Sequence, residues 1–232
     1  MSQAPVVACF GRRGVGKTFL ARKIAQHQAR LLVWDYMAEY GPLAFRSEGN
    51  LDALAEYLHS MRGQQFAAAR YIPREGTVEE FEQFCALAFR FGNYLLVVEE
   101  AAAVTQAGYL PPKFGRVVRQ GRHRGIGLLW CSQRLNEVSR TLTALTDYWC
   151  GFNIAEPADM LSLVQRCGQD YTEQVAGLPR FEWRGFEVDT RETFTDEARL
   201  LALWGAPTVW RTPGAPANVA KAAVNSRKES QR

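Results

Sequence analysis

The sequence predicts an α/β protein with a mostly parallel central sheet flanked by helices, and three observations support this fold class. Short apolar, β-prone runs alternate along the chain with segments whose apolar residues recur at helical spacing. The first run, at 6–10, is followed at once by the pattern G-x-x-x-x-G-K-T and a helical segment. A later run, at 94–98, ends in two adjacent glutamates. Strands that end in polar residues are typical of an α/β sheet with a site at one edge.

Length and composition fit one substantial core. The chain has 232 residues, of which 47% are hydrophobic. Its formal net charge of +4 lies entirely in residues 205–232, which hold five basic residues and one acidic residue. We therefore expect an α/β domain over 1–204 and a basic extension over 205–232 that is flexible or ordered by a partner. Binding of nucleic acid would depend on local patches or on this tail, since the remainder is neutral.

The cysteines and histidines argue against a domain stabilised by disulfides and against one stabilised by a bound metal. The five cysteines are odd in number and form no C-x-x-C pair, and three histidines give no metal-ligand spacing. Reduced, buried thiols in a reducing intracellular compartment fit this pattern. The N-terminus lacks the layout of a signal peptide, and no apolar run reaches the length of a membrane span. We expect a protein without a transmembrane segment.

The stretch after the first strand is predicted to bind the phosphates of a nucleotide. Its glycines allow positive φ, so that backbone N–H groups surround an anion at the N-terminus of the next helix. Lys17 would reach the β- and γ-phosphates of ATP, and the Thr18 hydroxyl would bind Mg²⁺. The alternative is a glycine-rich turn that only joins a strand to a helix. The predicted nucleotide-binding residues are Gly11, Arg12, Arg13, Gly14, Val15, Gly16, Lys17, Thr18 and Phe19.

The helices are predicted from apolar spacing and from capping residues. Asn50 and Thr77 each precede such a segment and are candidate N-caps. Glu80, three residues after Thr77, stands at the capping-box position. The predicted helices span residues 17–29, 51–61, 78–91, 141–146 and 157–167.

The strands are predicted from short apolar runs bounded by polar or turn residues. If the strands are parallel, the run at 31–34 brings Asp35 to the same edge as the phosphate loop. Residues 179–188 are predicted to form a hairpin with Arg184 and Gly185 at its turn. The predicted strands before this hairpin span residues 6–10, 31–34, 65–72, 94–98, 126–131 and 147–152.

Glu99 and Glu100 end the apolar run at 94–98, as expected for the second half of a phosphate-loop NTPase. One carboxylate would help to hold Mg²⁺, and its neighbour would accept a proton from the attacking water. We assign Glu99 to the metal and Glu100 to the water. A glutamate in place of the usual aspartate at the first position leaves this division of roles open. The alternative is a strand that ends in solvated charges.

Two further groups of polar residues are candidates for catalysis. Gln133, at the end of the run at 126–131, would sense the γ-phosphate or orient water, unless it belongs to an ordinary strand-to-helix cap. The stretch 111–124 is strongly basic, and a helix there would place Arg116, Arg119 and His123 on one face. Such a face is either solvated or functional, with one arginine reaching the γ-phosphate of a neighbouring subunit and others facing DNA. The candidates for this arginine are Arg119, Arg122 and Arg124.

Five segments together resemble the FtsK–HerA superfamily of DNA-pumping ATPases. The Asp35 to Tyr40 element and the R-x-x-G-x-G-L…S-Q-R element are the discriminating ones, since a phosphate loop alone occurs in many families. The resemblance extends over roughly 6–188. The segments are G-R-R-G-V-G-K-T, L-L-V-W-D-Y-M-A-E-Y-G-P-L, L-L-V-V-E-E-A, R-H-R-G-I-G-L-L-W-C-S-Q-R-L-N-E-V and G-L-P-R-F-E.

The resemblance implies a RecA-like core that works as a hexameric ring around double-stranded DNA. It also implies an arginine near Arg122 that acts in trans. A minimal core of this size looks most like the genome-packaging ATPases of tailless, membrane-containing icosahedral viruses. Such an ATPase would act in the host cytoplasm or with the virion, docked on a capsid-vertex or membrane protein. The nucleotide-site residues that it implies are Lys17, Thr18, Glu99, Glu100 and Gln133.

Two other classes of function remain open from the sequence. One is an assembly or secretion ATPase resembling the zonula occludens toxin-like proteins of filamentous phages, which carry a membrane helix. The other is a nucleotide-binding module that moves no DNA, such as a kinase or a regulatory switch. Stimulation of turnover by double-stranded DNA, in a salt-sensitive manner, would separate the DNA motor from both.

Overall fold

The structure is a computed structural model that describes residues 4–41 and 45–204. The basic extension predicted over 205–232 lies outside the described residues, so the domain boundary at 204 stays a prediction. No helix in the described part of the chain is both long enough and apolar enough to cross a lipid bilayer.

The described strands form one nine-stranded sheet in the order β3-β4-β2-β5-β6-β1-β7-β8-β9. All pairings from β3 to β7 are parallel, and β8 and β9 add an antiparallel edge. The predicted α/β class with a mostly parallel sheet is confirmed. The strands are β1 (Val6–Phe10), β2 (Arg30–Trp34), β3 (Phe45–Glu48), β4 (Ala67–Ile72), β5 (Tyr94–Val98), β6 (Ile126–Ser132), β7 (Tyr148–Gly151), β8 (Arg184–Glu187) and β9 (Thr193–Phe194).

All five predicted helices are present. Those at 78–91 and 157–167 have the predicted bounds, and the ends of the other three lie within three residues of the prediction. Short 3₁₀ helices follow α5 at Gly121–Arg124 and β6 at Leu135–Glu137. The sequence did not predict the strands β3 and β9 or the helices at 101–104, 169–176 and 197–202, which are short or lack a clear capping residue. The helices are α1 (Lys17–Gln26), α2 (Leu51–Ser60), α3 (Val78–Phe91), α4 (Ala101–Val104), α5 (Pro112–Gln120), α6 (Arg140–Ala144), α7 (Pro157–Cys167), α8 (Gln169–Ala176) and α9 (Glu197–Ala202).

The core lies on both faces of the sheet, because alternate residues of each strand point to opposite sides. In β1, Val7 packs on the face that α1 covers, and Phe10 packs on the other face. Strands buried on both faces read as continuous apolar runs, which is why they were visible in the sequence. Trp34 and Phe81 illustrate the packing, with ring centroids 5.0 Å apart in an edge-to-face arrangement. Burial of each such ring contributes roughly 2–3 kcal/mol.

The predicted N-caps of α2 and α3 are confirmed. The Asn50 side chain accepts a hydrogen bond from Ala53 N at 2.9 Å, and Thr77 Oγ1 accepts one from Glu80 N at 3.2 Å. The capping box is only half formed, because the Glu80 carboxylate turns away from the N–H of Thr77. It accepts instead from the Tyr71 hydroxyl and from the backbone N–H groups of Arg74, Glu75 and Gly76.

The predicted hairpin over 179–188 is wrong. Arg184 and Gly185 lie inside β8, which pairs with β7 on one side and β9 on the other. A Cβ on Gly185 would lie 2.4 Å from the Phe194 ring, so the glycine is required by close packing and not by a turn. The turn of the hairpin lies instead at 188–192, between β8 and β9.

The predicted helical face over 116–123 is also corrected. Helix α5 ends at Gln120, and His123 belongs to the 3₁₀ helix that follows. Arg116 and Arg119 therefore share a helix that does not include His123. Gly125, with φ of 66°, then ends the 3₁₀ helix and leads the chain into β6.

Candidate nucleotide site

The loop between β1 and α1 has the conformation that a phosphate-binding loop requires. Gly11 and Gly16 have φ of 144° and 115°, which side chains rarely adopt. Space is also lacking at both positions, since an added Cβ would lie 2.8 Å from Phe152 Cβ and 2.9 Å from Phe181 Cδ1. The loop therefore depends on glycine for both conformation and close approach, and it leads into the N-terminus of α1.

Lys17 lies across the loop. Its ammonium group donates hydrogen bonds to the carbonyl oxygens of Gly11 and Arg12, both at 2.8 Å. The side chain is buried, and this burial lowers the pKa of Lys17 below its usual value. A cation held inside the loop in this way faces the space that a triphosphate would occupy.

Thr18 and Glu99 form the second part of the site. The Thr18 hydroxyl donates to Glu99 Oε1 at 3.1 Å, and the buried Oε2 atom has no hydrogen-bond partner. Burial, together with the charges of Asp35 and Glu39, raises the pKa of Glu99 to about 8. A hydroxyl beside a carboxylate with one unsatisfied oxygen suits Mg²⁺, which prefers oxygen ligands and binds through one or two protein groups. These two residues therefore fit the predicted metal.

Glu100 and Gln133 form the third part, at the ends of the paired strands β5 and β6. Glu100 adopts a left-handed conformation with φ of 50°, which separates its side chain from that of Glu99. Its Oε1 accepts hydrogen bonds from Gln133 N at 3.2 Å and from the Ser132 hydroxyl at 3.4 Å. Its Oε2 accepts from Gln133 Nε2 at 3.0 Å. The left-handed backbone costs about 1 kcal/mol, and these bonds offset it.

One cavity of about 320 Å³ joins the three parts. Of the predicted loop residues, Val15 packs its side chain into the core below the cavity. The predicted residues around the cavity are Arg13, Gly14, Gly16, Lys17, Thr18, Phe19, Glu99, Glu100 and Gln133. Residues around it that were not predicted are Met37, Glu39, Cys131, Arg180 and Phe181. Only their presence in segments that resemble the superfamily pointed to these five residues.

Asp35 reaches the predicted edge of the sheet but does not line the cavity. It is fully buried, and its carboxylate accepts hydrogen bonds from the backbone N–H groups of Glu39 and Tyr40 at 2.8 and 3.2 Å. Arg70 Nη1 donates to the same carboxylate at 3.1 Å. Asp35 therefore holds the loop after β2, and this loop brings Met37 and Glu39 to the cavity.

The candidate trans arginines lie near the N-terminal ends of the strands, opposite the phosphate loop. Arg119, Arg122 and Arg124 precede β6, whereas the phosphate loop follows β1, and the two strands are parallel. Arg124 donates to the carbonyl oxygens of Phe89 and Arg90, at 3.3 and 2.8 Å. Arg119 and Arg122 line a separate cavity of about 330 Å³. In the described residues, none of the three lines the phosphate cavity of its own chain.

Comparison with known proteins gives a phage protein as a relative in sequence. No family model matches the chain. Protein P9 of Pseudoalteromonas phage PM2 is 30% identical over 148 residues, which cover 61% of this chain and 65% of that protein. The chain thus matches somewhat less than two thirds of the length of this curated relative.

Solved structures that share the fold include genome-packaging enzymes. The genome packaging NTPase B204 from Sulfolobus turreted icosahedral virus 2, in complex with AMPPCP, aligns with a TM-score of 0.67 at 17% identity, over 82% of this chain and 96% of that one. B204, the DNA-packaging ATPase from Sulfolobus turreted icosahedral virus, aligns with a TM-score of 0.67 at 19% identity, over 84% and 97%. The N-terminal domain of zonular occludens toxin from Neisseria meningitidis gives a TM-score of only 0.47, too low to support an argument.

These comparisons agree with the resemblance that the sequence suggested. The solved structures that are similar to this chain include viral genome-packaging NTPases, as the resemblance predicted. The parallel order around β1 and the loop that follows it are those of a RecA-like core. The chain therefore has the fold of the P-loop NTPases that package viral genomes.

Proposed function

We propose that the chain is an ATPase that moves double-stranded DNA into a preformed viral capsid as part of a ring-shaped motor. The observation that carries this proposal is the arrangement of Lys17, Thr18, Glu99, Glu100 and Gln133 around one cavity. The functions of the two B204 proteins, genome packaging and DNA packaging, support the same activity.

The triphosphate would bind to the backbone N–H groups of the loop and to the N-terminus of α1, with Lys17 on the β- and γ-phosphates. Thr18 and Glu99 would hold Mg²⁺, which when bound neutralises charge on the phosphate oxygens. Glu99 must lose its proton to do so, and the nearby ammonium group of Lys17 favours the charged carboxylate.

Glu100 would act as the general base for the attacking water, and Gln133 would position the Glu100 carboxylate. The carboxylate of Glu100 points toward the cavity while Gln133 holds both of its oxygens. General base catalysis contributes typically ~10²–10⁴ in rate, so the reaction depends strongly on this residue.

A ring would complete the site. The phosphate cavity and the basic stretch at 111–124 lie at opposite edges of one sheet, so head-to-tail packing of subunits would bring the basic edge of one subunit to the cavity of the next. An arginine there, from among Arg119, Arg122 and Arg124, would stabilise the charge that develops on the γ-phosphate in trans. Six subunits are the number that the resemblance implies.

DNA would be gripped through its phosphates by exposed basic side chains. One group of exposed basic side chains surrounds the Phe89 ring, where the guanidinium of Arg116 stacks 4.1 Å from the ring centroid. A second source of charge is the basic extension at 205–232. Such contacts do not depend on the DNA sequence, and binding should weaken steeply with salt.

The motor would act in the host cytoplasm or with the virion, docked on a capsid-vertex or membrane protein.

The test is the ATPase rate per chain, measured with particle mass as protein concentration rises, with and without double-stranded DNA. We expect the rate to rise as rings form, to rise further with DNA and to fall with added salt. Lys17→Ala should remove turnover. A monomer as fast as the assembly would contradict the trans arginine. Indifference to DNA, together with faster turnover on a small phosphate acceptor, would instead indicate a nucleotide-binding module that moves no DNA.

A further inference from the structure

A segment far along the chain forms one wall of the phosphate cavity. Between α8 and β8, Arg180 Nε donates a hydrogen bond to the carbonyl oxygen of Gly14 at 2.8 Å. The backbone N–H of Phe181 donates to the carbonyl oxygen of Val15 at 2.9 Å. These two bonds fasten the segment to the phosphate loop itself, on residues that the sequence places near the N-terminus.

Phe181 is held in an unfavourable state in this segment. Its φ of 68° lies in the left-handed region, which a bulky side chain rarely adopts. Its ring is also 58% exposed and lines the cavity. The Arg180 guanidinium lies 4.6 Å from the ring centroid. Packing within the chain therefore leaves much of the ring open, and it is positioned by the loop contacts.

The position of Phe181 relative to the catalytic residues defines its place along a bound nucleotide. Glu99, Glu100 and Gln133 follow β5 and β6 on one side of β1, whereas the Phe181 segment leads into β8 on the other side. The γ-phosphate must lie beside the catalytic residues. The opposite end of the nucleotide, its base, then points toward the side of β1 where Phe181 stands. Phe19, which is 69% exposed, lines the same cavity.

We propose that Phe181 is the stacking surface for the base of the nucleotide, with Arg180 fixing the ring against the loop and Phe19 as a second apolar wall. This inference rests on the proposed nucleotide site. The strength of stacking depends on the area of the aromatic ring of the base and not on the hydrogen-bonding groups at its edge. Thr18 and Gln133 lie at the phosphate end of the cavity, on Glu99 and Glu100. On the side of Phe181, Arg180 Nε is engaged by the carbonyl oxygen of Gly14. The site therefore takes purine nucleoside triphosphates with little discrimination between ATP and GTP, and pyrimidine nucleotides bind more weakly.

The test compares the affinities of ATP, GTP, CTP and inorganic tripolyphosphate, which lacks a base, by calorimetry. Phe181→Gly is the sharpest variant, because glycine accepts the left-handed backbone and keeps the N–H donor to Val15 while the ring is lost. We expect ATP and GTP binding to weaken by about five- to a hundredfold, the range measured for loss of one base-stacking contact. Tripolyphosphate binding should stay unchanged, and Phe181→Tyr should retain the affinity of the native chain for ATP. Phe66→Ala, at an exposed aromatic residue before β4, is the matched control.

The outcomes separate this inference from the proposed function. Equal losses for ATP and tripolyphosphate in Phe181→Gly would mean that the ring only supports the loop, and would overturn base stacking. Unchanged ATP affinity in that variant would overturn it as well. A native chain that discriminates strongly between ATP and GTP would contradict the purine tolerance. If the native chain binds neither ATP nor tripolyphosphate, the proposed function fails first.

Discussion

Gln133 donates two hydrogen bonds to Glu100, one from its backbone nitrogen and one from its side-chain amide, at 3.2 and 3.0 Å. The two residues follow adjacent parallel strands, so the sheet itself fixes the distance between their backbones. A carboxylate held at both oxygens has one orientation in the cavity. This relationship gives Gln133 a positioning role that its place in the sequence did not specify.

Gln133→Ala should lower kcat about tenfold with little change in the KM for ATP, because the base would remain present but less well oriented. Steady-state kinetics on assembled protein measures both constants. Gln83→Ala, at an exposed position on α3, should behave as the native chain. A rise in KM at unchanged kcat would show that Gln133 binds nucleotide instead of positioning Glu100.

Glu100→Gln should keep ATP bound but uncleaved. The amide preserves the shape of the side chain and removes the proton acceptor, so turnover should fall by about 10²–10⁴ while nucleotide affinity stays within about twofold. Filter binding of labelled ATP followed by product analysis would measure both. If Glu99→Gln has this phenotype and Glu100→Gln does not, the roles of the two carboxylates are exchanged.

Thr18→Ala should raise the Mg²⁺ concentration needed for half-maximal turnover by about tenfold, since one oxygen ligand is lost. Thr18→Ser keeps the hydroxyl and should restore the native value. A titration of ATPase rate against free Mg²⁺ at saturating ATP would measure this shift. An equal Mg²⁺ requirement in the two variants would show that the Thr18 hydroxyl is not a ligand of the metal.

Mixing experiments should identify the trans arginine. Arg122→Ala, or the corresponding change at Arg119 or Arg124, should reduce the rate by about 10³–10⁵ if that residue reaches the neighbouring γ-phosphate. Mixed with Lys17→Ala subunits, the correct variant should regain activity, since about a quarter of the interfaces would pair an intact cavity with an intact arginine. A variant that loses activity without such rescue acts within its own chain.

Glu80 should make the stability of the fold sensitive to acid. Burial acts to raise the pKa of Glu80, but hydrogen bonds from Tyr71 and from three backbone N–H groups outweigh it, so the pKa is lowered. The stabilisation is therefore fully present above the ordinary value of 4.5 and is lost as pH falls through the folded-state pKa.

Glu80→Gln should destabilise the chain by about 1 kcal/mol at neutral pH, the low end for a partly exposed carboxylate, and by less at pH 3. Denaturant unfolding between pH 3 and pH 7 would give the difference. Glu79→Gln, on the same turn of α3 and exposed, is the control. A constant difference between Glu80→Gln and the native chain at every pH would contradict the linkage.

Local patterns explain how much of the site the sequence predicted. Lys17 and Thr18 belong to one loop, whose G-x-x-x-x-G-K-T pattern by itself predicts phosphate binding. Glu99 and Gln133 follow continuous apolar runs, which are typical of buried parallel strands. Phe181 could not be derived in this way, because its contact with the loop joins distant parts of the chain. Gly185 shows a second limit, since a glycine that turns the chain and a glycine that makes room for a neighbouring ring look the same in a sequence.

The burial of all five cysteines has a practical consequence for labelling the chain. Burial raises the pKa of Cys85 and Cys167, which leaves little reactive thiolate, and Cys9 sits in the sheet directly beneath the phosphate loop. A dye carrying a maleimide would react with few native thiols in the folded chain. One cysteine introduced on the surface, for example by Gln83→Cys, would therefore take a single fluorophore. In the ring proposed above, this label would let movement between neighbouring subunits be followed during turnover.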